Sequence, residues 1–311
     1  MKFAVYKLSF AAGVHFGTGT LVSGASTLPA DSLFSALCIE AAQQGGACVS
    51  ALADLVKQQK LRISDLLPFI GEELYLPKPL VPIQKENEGN SLVKKSLKKL
   101  RYIPAAQLDS YLQGKMDPAA EAEKLKMLGA FEVRTMAASR SEEKLETGET
   151  LPYSVGVYHF GQGSGLYTIV GAADDAVQAQ FETLLNALSY SGIGGKRSAG
   201  LGRFTVRKED VPETLLKRLR GNAVPCISLS VCMAAEEELE SVLEGARYLL
   251  QRRAGFVDSA EYAEEQRRKR DLYMFCAGSC FDRRFAGDVF DVSNGGRHAV
   301  YRYAAPLWME I

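Results

Sequence analysis

Residues 174–206 read DDAVQAQFETLLNALSYSGIGGKRSAGLGRFTV and place a helix, a glycine-rich loop and a strand in direct succession. The segment begins with Asp174 and Asp175, and acidic side chains are favoured at the beginning of a helix. Apolar residues then recur at helical spacing: Val177, Phe181, Leu184, Leu185 and Leu188. One buried face is therefore expected, and the pattern predicts a helix over 174–188 and a short strand over 204–206.

Upstream of this segment, residues 2–10 alternate between two faces and predict a first strand. Its faces carry Phe3 and Val5 on one side, and Tyr6, Leu8 and Phe10 on the other. Residues 29–31 (Pro-Ala-Asp) introduce a helix, and Asp31 is expected to be its N-cap. Further strands are predicted at 153–159 and 166–170. The order strand, helix, strand, insert, strand, helix, strand is the βαββαβ order of ferredoxin-like folds, which RNA-recognition motifs share.

A second unit is expected after residue 220. A strand is predicted over 227–233, followed by an amphipathic helix over 236–253 with an acidic beginning and an arginine-containing end. The predicted fold class is α+β, with two tandem ferredoxin-like (RRM-like) domains. The first, 1–220, contains the glycine-rich loop and a long inserted region of about 85–160, and the second, 221–311, is a reduced version.

Composition narrows the class of protein. The 311 residues carry 37 basic and 37 acidic side chains, whereas a free-standing nucleic-acid binder is usually basic. Basic and acidic clusters are nevertheless segregated, as expected of a protein with one RNA-facing and one protein-facing side. No apolar run is long enough for a membrane span, and the six cysteines lack the C-x-x-C spacing of zinc sites. We expect a cytoplasmic protein with buried, reduced thiols and no contact with a membrane.

The loop at 191–202 is the strongest candidate for a binding site, because five of its twelve residues are glycine. Glycines permit positive φ and close approach of another backbone, and successive amides in such loops bind anions. Lys196 and Arg197 add positive charge, so phosphate is the expected ligand. The loop is neither a Walker A motif nor a Rossmann fingerprint, since position 190 is tyrosine and the loop joins a helix to a strand. A purely structural turn remains the alternative.

Several blocks of the chain resemble one family of CRISPR-associated proteins. SGIGGKRSAGLGRF at 191–204 resembles the glycine-rich loop of the RAMP superfamily. Other blocks resemble the fourth subunit of the Csm (type III-A CRISPR) interference complex: HFGTG at 15–19, PADSLFSALC at 29–38, YLPKPL at 75–80, TGETLPYSVGVYHF at 147–160, YMFCAGSCF at 273–281, GDVFDVS at 287–293 and HAVYRYAAPLW at 298–308. The resemblance covers nearly the whole chain and is weakest at about 85–130.

This resemblance implies a non-catalytic subunit that holds the 5′ repeat-derived tag of the CRISPR RNA. It implies contacts with the large polymerase/cyclase-like subunit and the first backbone RAMP subunit, and a projecting thumb hairpin, here 131–157, that interrupts pairing between guide and target RNA. The expected RNA-binding residues are His15, Gly17, Gly19, Ser191, Gly192, Gly194, Gly195, Lys196, Arg197, Ser198, Gly200 and Gly202. No catalytic residue, metal ligand or cofactor is expected.

Three enzymatic interpretations stay open. Related RAMP proteins that mature precursor guide RNA use a histidine as general base, and His15 is the candidate here, although RNA contact and a structural role are alternatives. Backbone RAMP subunits use an acidic residue to cut target RNA, but an N-cap role explains Asp31 better. A nucleotide-binding enzyme using 191–202 as its phosphate loop is a third interpretation, which lacks an acidic metal-binding partner at a recognisable spacing.

Overall fold

A computed structural model describes residues 1–83, 91–137, 152–259 and 261–311 of the chain. Its strands are β1 (Lys2–Ser9), β2 (Phe16–Gly17), β3 (Gly24–Ala25), β4 (Leu61–Ile63), β5 (Leu67–Ile70), β6 (Glu73–Pro77), β7 (Tyr102–Pro104), β8 (Gly129–Ala137), β9 (Pro152–Phe160), β10 (Ser164–Ala172), β11 (Thr205–Glu209), β12 (Cys226–Ser228), β13 (Leu250–Arg253), β14 (Leu272–Phe275), β15 (Cys280–Phe281), β16 (Val289–Asp291), β17 (Tyr301–Tyr303) and β18 (Trp308–Glu310). Its helices are α1 (Ala30–Gln43), α2 (Gly46–Lys57), α3 (Ser91–Lys99), α4 (Leu108–Leu112), α5 (Pro118–Leu125), α6 (Asp175–Ser191), α7 (Glu213–Arg220) and α8 (Glu236–Leu243).

The main sheet is built around β1 and β10, which pair antiparallel over almost their full length. Its strand order is β11-β1-β10-β5-β6-β7, and β4 also pairs with β10. Every residue of β10 is buried, so layers cover both faces of the sheet. Helices and antiparallel sheets together confirm the mixed α and β composition that the sequence predicts.

The alternation predicted for the first strand is confirmed by its packing. Tyr6 and Leu8 belong to a core cluster that also contains apolar residues of α1 and α6, whereas Val5 belongs to the cluster on the opposite face. The helix predicted at 174–188 is also confirmed, and the Asp174 side chain accepts a hydrogen bond from the Val177 amide at 2.9 Å. Alternation in β1 and helical spacing in α6 thus place the core correctly.

The C-terminal part, residues 221–311, shares both core clusters with the N-terminal part. Tyr303 of β17 packs against Phe34 of α1 with ring centroids 5.5 Å apart, and its hydroxyl accepts from the Ile63 amide at 2.9 Å. On the opposite face, Ile227 and Met309 join the second cluster. The two parts of the chain therefore stabilise each other through continuous apolar packing.

The helix predicted over 236–253 is wrong in its second half. Helix α8 ends at Leu243, Gly245 has a φ of +69°, and residues 250–253 form β13, paired with β14. A residue in the left-handed region cannot continue an α-helix, and glycine adopts that region without strain. Leu249 and Leu250, which the helical pattern expects to be buried, are consequently exposed.

The inserted region of about 85–160 contains more regular structure than its weak pattern predicts. Helices α3, α4 and α5 and strand β7 lie in it, and β7 extends the main sheet beyond β6. Strands β8 and β9 then pair antiparallel from Gly129 opposite Phe160 to Ala137 opposite Pro152. This hairpin includes the residues for which the resemblance implies a thumb, and we call it the thumb hairpin; the polar stretch 139–150 lies outside the described residues.

The six cysteines are free thiols, and half of them are only partly buried. Among the described residues, no group of three or more histidine, cysteine or acidic side chains is arranged to hold a metal ion. None of the helices in the described ranges has the length and apolar character that crossing a membrane requires.

Candidate nucleic-acid interface

The glycine-rich loop begins where α6 ends and closes on itself through glycine. Gly192 has a φ of +81°, and its amide donates to the Leu188 carbonyl at 2.7 Å. The Ile193 amide donates to the Gly202 carbonyl at 2.9 Å, which brings the two ends of the loop together. Gly202 has a φ of +80°, and a Cβ there would overlap the Ile193 carbonyl oxygen. This closure therefore requires glycine at position 202.

The loop docks on residues 13–15, so the structure brings it together with the HFGTG block at 15–19. The Gly195 amide donates to the His15 carbonyl at 2.8 Å, and the Gly202 amide donates to the Gly13 carbonyl at 3.1 Å. A Cβ at Gly194 would lie 2.8 Å from the His15 carbonyl oxygen. These contacts fix the position of the loop, and they occupy some of the amides that the sequence offers for phosphate.

Four amides at the tip of the loop are free to bind an anion. The amides of Gly194, Lys196, Arg197 and Ser198 donate to no described residue, whereas the Gly195 amide is occupied. Gly194 has a φ of +93°, and Lys196 lies in the left-handed region with a φ of +61°. Left-handed residues next to right-handed ones turn successive amides toward one side, the arrangement of an anion-binding nest. An open depression at this tip is lined by Ser191, Gly194, Gly195, Lys196, Arg197, Ser198 and Asp258.

Both basic side chains of the loop have partners within the protein. Lys196 Nζ lies 4.4 Å from the centre of the Tyr153 ring and donates to the Tyr153 hydroxyl at 3.2 Å. Arg197 donates to the Asp258 carboxylate at 2.8 Å. Because Asp258 is exposed, water screens this ion pair and a phosphate could compete for the guanidinium. The sequence gives no sign of either partner.

His15 is buried, with 6% of its surface exposed. Its Nδ1 lies 2.7 Å from the Gly156 carbonyl oxygen and therefore donates a hydrogen bond to it. The other ring nitrogen is Nε2. A side chain at Gly17 would begin 3.3 Å from that Nε2. His15 thus anchors the thumb strand β9 to the glycine-rich loop, through its ring and its carbonyl respectively.

Asp31 is not the N-cap of α1, so that prediction is wrong. Pro29 occupies the cap position, and the Asp31 carboxylate instead lies 2.9 Å from an Arg253 nitrogen and 2.5 Å from an Arg302 nitrogen. Asp31 and Arg302 are both buried, and Arg253 also donates to the Ser32 hydroxyl at 2.7 Å. The three charged groups form a cluster that joins α1 to β13 and β17.

A cleft with a volume of about 290 Å³ lies between the glycine-rich loop, α1 and the C-terminal part. The loop contributes Gly192, Gly194, Gly195 and Arg197 to its lining, and His15 and Gly17 lie beside them. Lys269 and Arg302 line the opposite side. Burial lowers the pKa of Lys269, whose Nζ donates to the Ser35 hydroxyl at 3.1 Å. We call this space the first cleft.

The remaining expected residues lie away from the first cleft. Gly19 and Gly200 have φ values of +126° and +85°, and a Cβ at either position would meet open space. Sequence reasoning missed Phe256 and Arg302, both of which line the first cleft. Lys269 belongs to the basic run 267–270, and the sequence does not reveal its contact with α1, because Ser35 is 234 residues away.

A histidine–glutamate pair that the sequence does not reveal lies on the thumb hairpin. His159 Nε2 is 3.0 Å from the Glu132 carboxylate, and the Arg134 guanidinium lies 3.5 Å from the same nitrogen. The histidine and the carboxylate are both substantially exposed, as expected for a surface charge pair on adjacent strands.

The chain is similar in sequence to known CRISPR-associated proteins. A family defined as the CRISPR Csm4 C-terminal domain matches residues 222–311. The CRISPR system Cms protein Csm4 of Mycobacterium tuberculosis (strain ATCC 25618 / H37Rv) is 38% identical over 297 residues, covering 96% of this chain and 94% of the relative. The protein of the same name from Streptococcus thermophilus is 31% identical over 321 residues, covering 100% of this chain and 99% of the relative.

Solved structures show the same fold at lower identity. The crystal structure of the Csm3-Csm4 subcomplex in the type III-A CRISPR-Cas interference complex includes a chain with a TM-score of 0.66 and 17% identity, covering 100% of this chain and 99% of that chain. The crystal structure of the Csm1-Csm4 cassette in complex with pppApA includes one with a TM-score of 0.63 and 17% identity, covering 100% and 98%.

Proposed function

Because the chain belongs to the Csm4 family of CRISPR-associated proteins, we propose that it holds the 5′ repeat-derived tag of the CRISPR RNA in a type III-A effector complex. In this role it catalyses no reaction, uses no cofactor and acts in the cytoplasm. It contacts the target RNA only indirectly, through the guide strand that it positions.

The observation that carries this proposal is the junction between the loop tip and the first cleft. The free amides of Gly194 and Lys196 can bind the oxygens of a phosphodiester, and Arg197 lies next to them. Lys269 adds a basic group inside the first cleft, whereas Arg302 is neutralised by Asp31, which also lines the cleft. A row of phosphate-binding groups along an open groove suits a single strand, whose backbone it can follow for several nucleotides.

The fold supports the same assignment. The strand order β11-β1-β10-β4, with helices following β1 and β10, agrees with a ferredoxin-like arrangement of the N-terminal part. We infer that residues 221–311 are a reduced second copy, in which α8 is the single helix among the described residues. RNA-recognition motifs share this arrangement, which is consistent with RNA binding but does not by itself require it.

The thumb hairpin supplies exposed apolar side chains for RNA. Phe131 and Val133 on β8 are 53% and 61% exposed. Phe131 is held in an edge-on contact with Tyr158, with ring centroids 4.8 Å apart. An aromatic ring held at this position can stack on a base, and we infer that the hairpin interrupts pairing between guide and target there.

The expected protein partners are the large polymerase/cyclase-like Csm subunit and the first backbone RAMP subunit. Purification of this chain with an affinity tag from its native host tests the whole proposal. We expect both subunits and RNA molecules that begin with the repeat-derived tag to co-elute. Recovery of the chain alone, or with RNA of random 5′ sequence, would refute it.

The alternative function is a RAMP endoribonuclease that matures precursor CRISPR RNA. The His159–Glu132 pair is the observation that favours it, because a carboxylate beside a histidine is a common way to orient a general base. We nevertheless expect purified full-length protein to leave repeat-containing RNA uncut, with or without divalent ions. Cleavage that disappears in His15→Ala or His159→Ala would establish the alternative, and analysis of 5′-labelled RNA on a sequencing gel detects it.

The acidic face of α8 is the predicted docking surface for the large subunit. Glu236, Glu237, Glu238 and Glu240 are all exposed. Reversing two charges with Glu237→Lys and Glu240→Lys should reduce the large subunit recovered with the tagged chain at least fivefold, since like charges across an interface are strongly unfavourable. Glu123→Lys on α5, also an exposed acidic residue, is the matched control. Equal recovery with both variants would rule out this surface.

A truncation near residue 220 is less informative, because it would uncover both core clusters.

A further inference from the structure

A second cleft lies beside the first, on the side away from the glycine-rich loop. It has a volume of about 560 Å³ and shares Phe16, Gly17, Leu28 and Ser32 with the first cleft. This volume is in the range of pockets that hold a small organic ligand, such as one nucleotide. A strand that leaves the first cleft can therefore continue directly into the second.

The charged side chains that line the second cleft are basic, with one exception. Its basic side chains are Lys78, Lys98, Arg101 and Arg253, and Asp65 is its one carboxylate among the described residues. Lys78 Nζ donates to the Leu97 carbonyl and is therefore held in the wall, and burial lowers its pKa. Lys98 and Arg101 are exposed at the rim, where they can meet phosphate.

Asp65 has a fixed orientation. Its Oδ1 accepts hydrogen bonds from the Ala30 amide at 2.8 Å and the Val231 amide at 2.9 Å. Oδ2 bonds to no described residue, and Asp65 lines the second cleft, where it is only partly buried. Two backbone donors thus hold one oxygen while the other is presented to a ligand.

We propose that the second cleft binds one nucleotide of the RNA and that Asp65 Oδ2 accepts a hydrogen bond from the exocyclic amine of its base. This inference rests on the proposed RNA-binding function. It adds a sequence-selective position to contacts that do not select sequence, those with phosphates and the stacking proposed for Phe131.

The selectivity follows from the donors that each base presents. Adenine, cytosine and guanine carry an exocyclic amine, and carboxylates in proteins read the amine of cytosine in this way. Uracil has no exocyclic amine. Its single imide N–H is flanked by two carbonyl oxygens, and these oxygens repel a carboxylate that approaches the N–H. The second cleft should therefore disfavour uracil relative to cytosine, two bases of nearly equal size.

Asp65→Asn separates this recognition from the structural role of Asp65. The asparagine oxygen can accept from the same two amides, while its amide nitrogen takes the place of Oδ2 and becomes a donor. The experiment measures binding of the full-length chain to fluorescent octamers of cytidine and of uridine. It is done at pH 8, because burial raises the pKa of Asp65 to about 7 and the carboxylate form is required.

The readout is the ratio of the two affinities, in which stacking and backbone contacts common to both variants cancel. We expect the ratio to shift toward uridine by about tenfold in Asp65→Asn, the order expected for one charged hydrogen bond. Arg101→Gln is the control, because it should weaken binding of both octamers alike. Melting temperatures check that each variant is folded.

Two kinds of failure can be told apart. An unchanged ratio in folded Asp65→Asn, in a chain that still binds both octamers with a salt-dependent affinity, would overturn the assignment of the second cleft alone. Failure of the wild-type chain to bind either octamer would overturn this inference together with the RNA-binding function.

Discussion

Replacement of Asp31 with alanine should lower the free energy of unfolding by about 3–5 kcal/mol, the cost of leaving a buried charge without its partner. Arg302 is only 6% exposed, and its Nε already lacks a hydrogen-bond partner among the described residues. Without the carboxylate, Arg302 and the largely buried Arg253 would repel each other across α1. Chemical denaturation of the purified full-length chain measures the loss.

Asp175→Ala is the matched control for this prediction. Asp175 also pairs with a basic residue, Lys2 at 2.7 Å, but both side chains are exposed. We expect a loss below about 1 kcal/mol, because water screens an exposed pair. Equal losses in the two variants would show that the Asp31 cluster contributes no more than a surface ion pair.

Substitution of Gly195 by valine should reduce affinity for the tag RNA at least tenfold, which corresponds to about 1.4 kcal/mol. A Cβ at this position would lie 2.8 Å from Cδ2 of His15, so the loop tip must move away from the His15 segment. Gly195 does not have a positive φ, and its substitution therefore tests crowding without backbone strain. Gly194→Val adds strain to crowding, since its φ is +93°.

Gly200→Val in the same loop tests backbone strain without crowding, the opposite of Gly195→Val. Its φ of +85° strains a valine, but a Cβ there meets nothing within 4 Å. We expect it to lower the melting temperature while leaving affinity within about threefold, a change below 1 kcal/mol. Binding and melting measured on all three variants distinguish a loop that holds RNA from a merely structural turn. Full affinity in folded Gly194→Val and Gly195→Val would show that the loop does not hold the RNA.

The sequence predicts the elements whose periodicity is undisturbed. Strand β1 and helix α6 follow their apolar patterns closely, because one repeated spacing decides which side faces the core. The same reasoning fails at α8, where Leu249 and Leu250 continue a helical spacing across Gly245. In the sequence, a glycine after an acidic residue is only weak evidence that a helix ends there. The left-handed backbone of Gly245 in the structure is what ends this helix.

The candidate site could be predicted only as far as its local segments. The glycine-rich loop is visible in the sequence because composition alone reveals it. The partners of Lys196 and Arg197 are 43 and 61 residues away, and those of Asp31 are 222 and 271 residues away. Contacts at such separations depend on how the sheets pack, so the first cleft, the second cleft and the Asp31 cluster required the structure.

The central claim is that the tip of the loop holds phosphates of the tag RNA, and the salt dependence of binding tests it most directly. Tag-RNA binding by the assembled complex is measured over a series of salt concentrations for the wild type, Lys196→Ala and the control Lys2→Ala. Lys2 is exposed and paired with Asp175 at the opposite end of β1 from the loop. We predict that Lys196→Ala flattens the slope of log affinity against log salt by about 0.7, one phosphate contact on a single strand, while Lys2→Ala leaves it unchanged. Parallel lines for the wild type and Lys196→Ala would contradict the account.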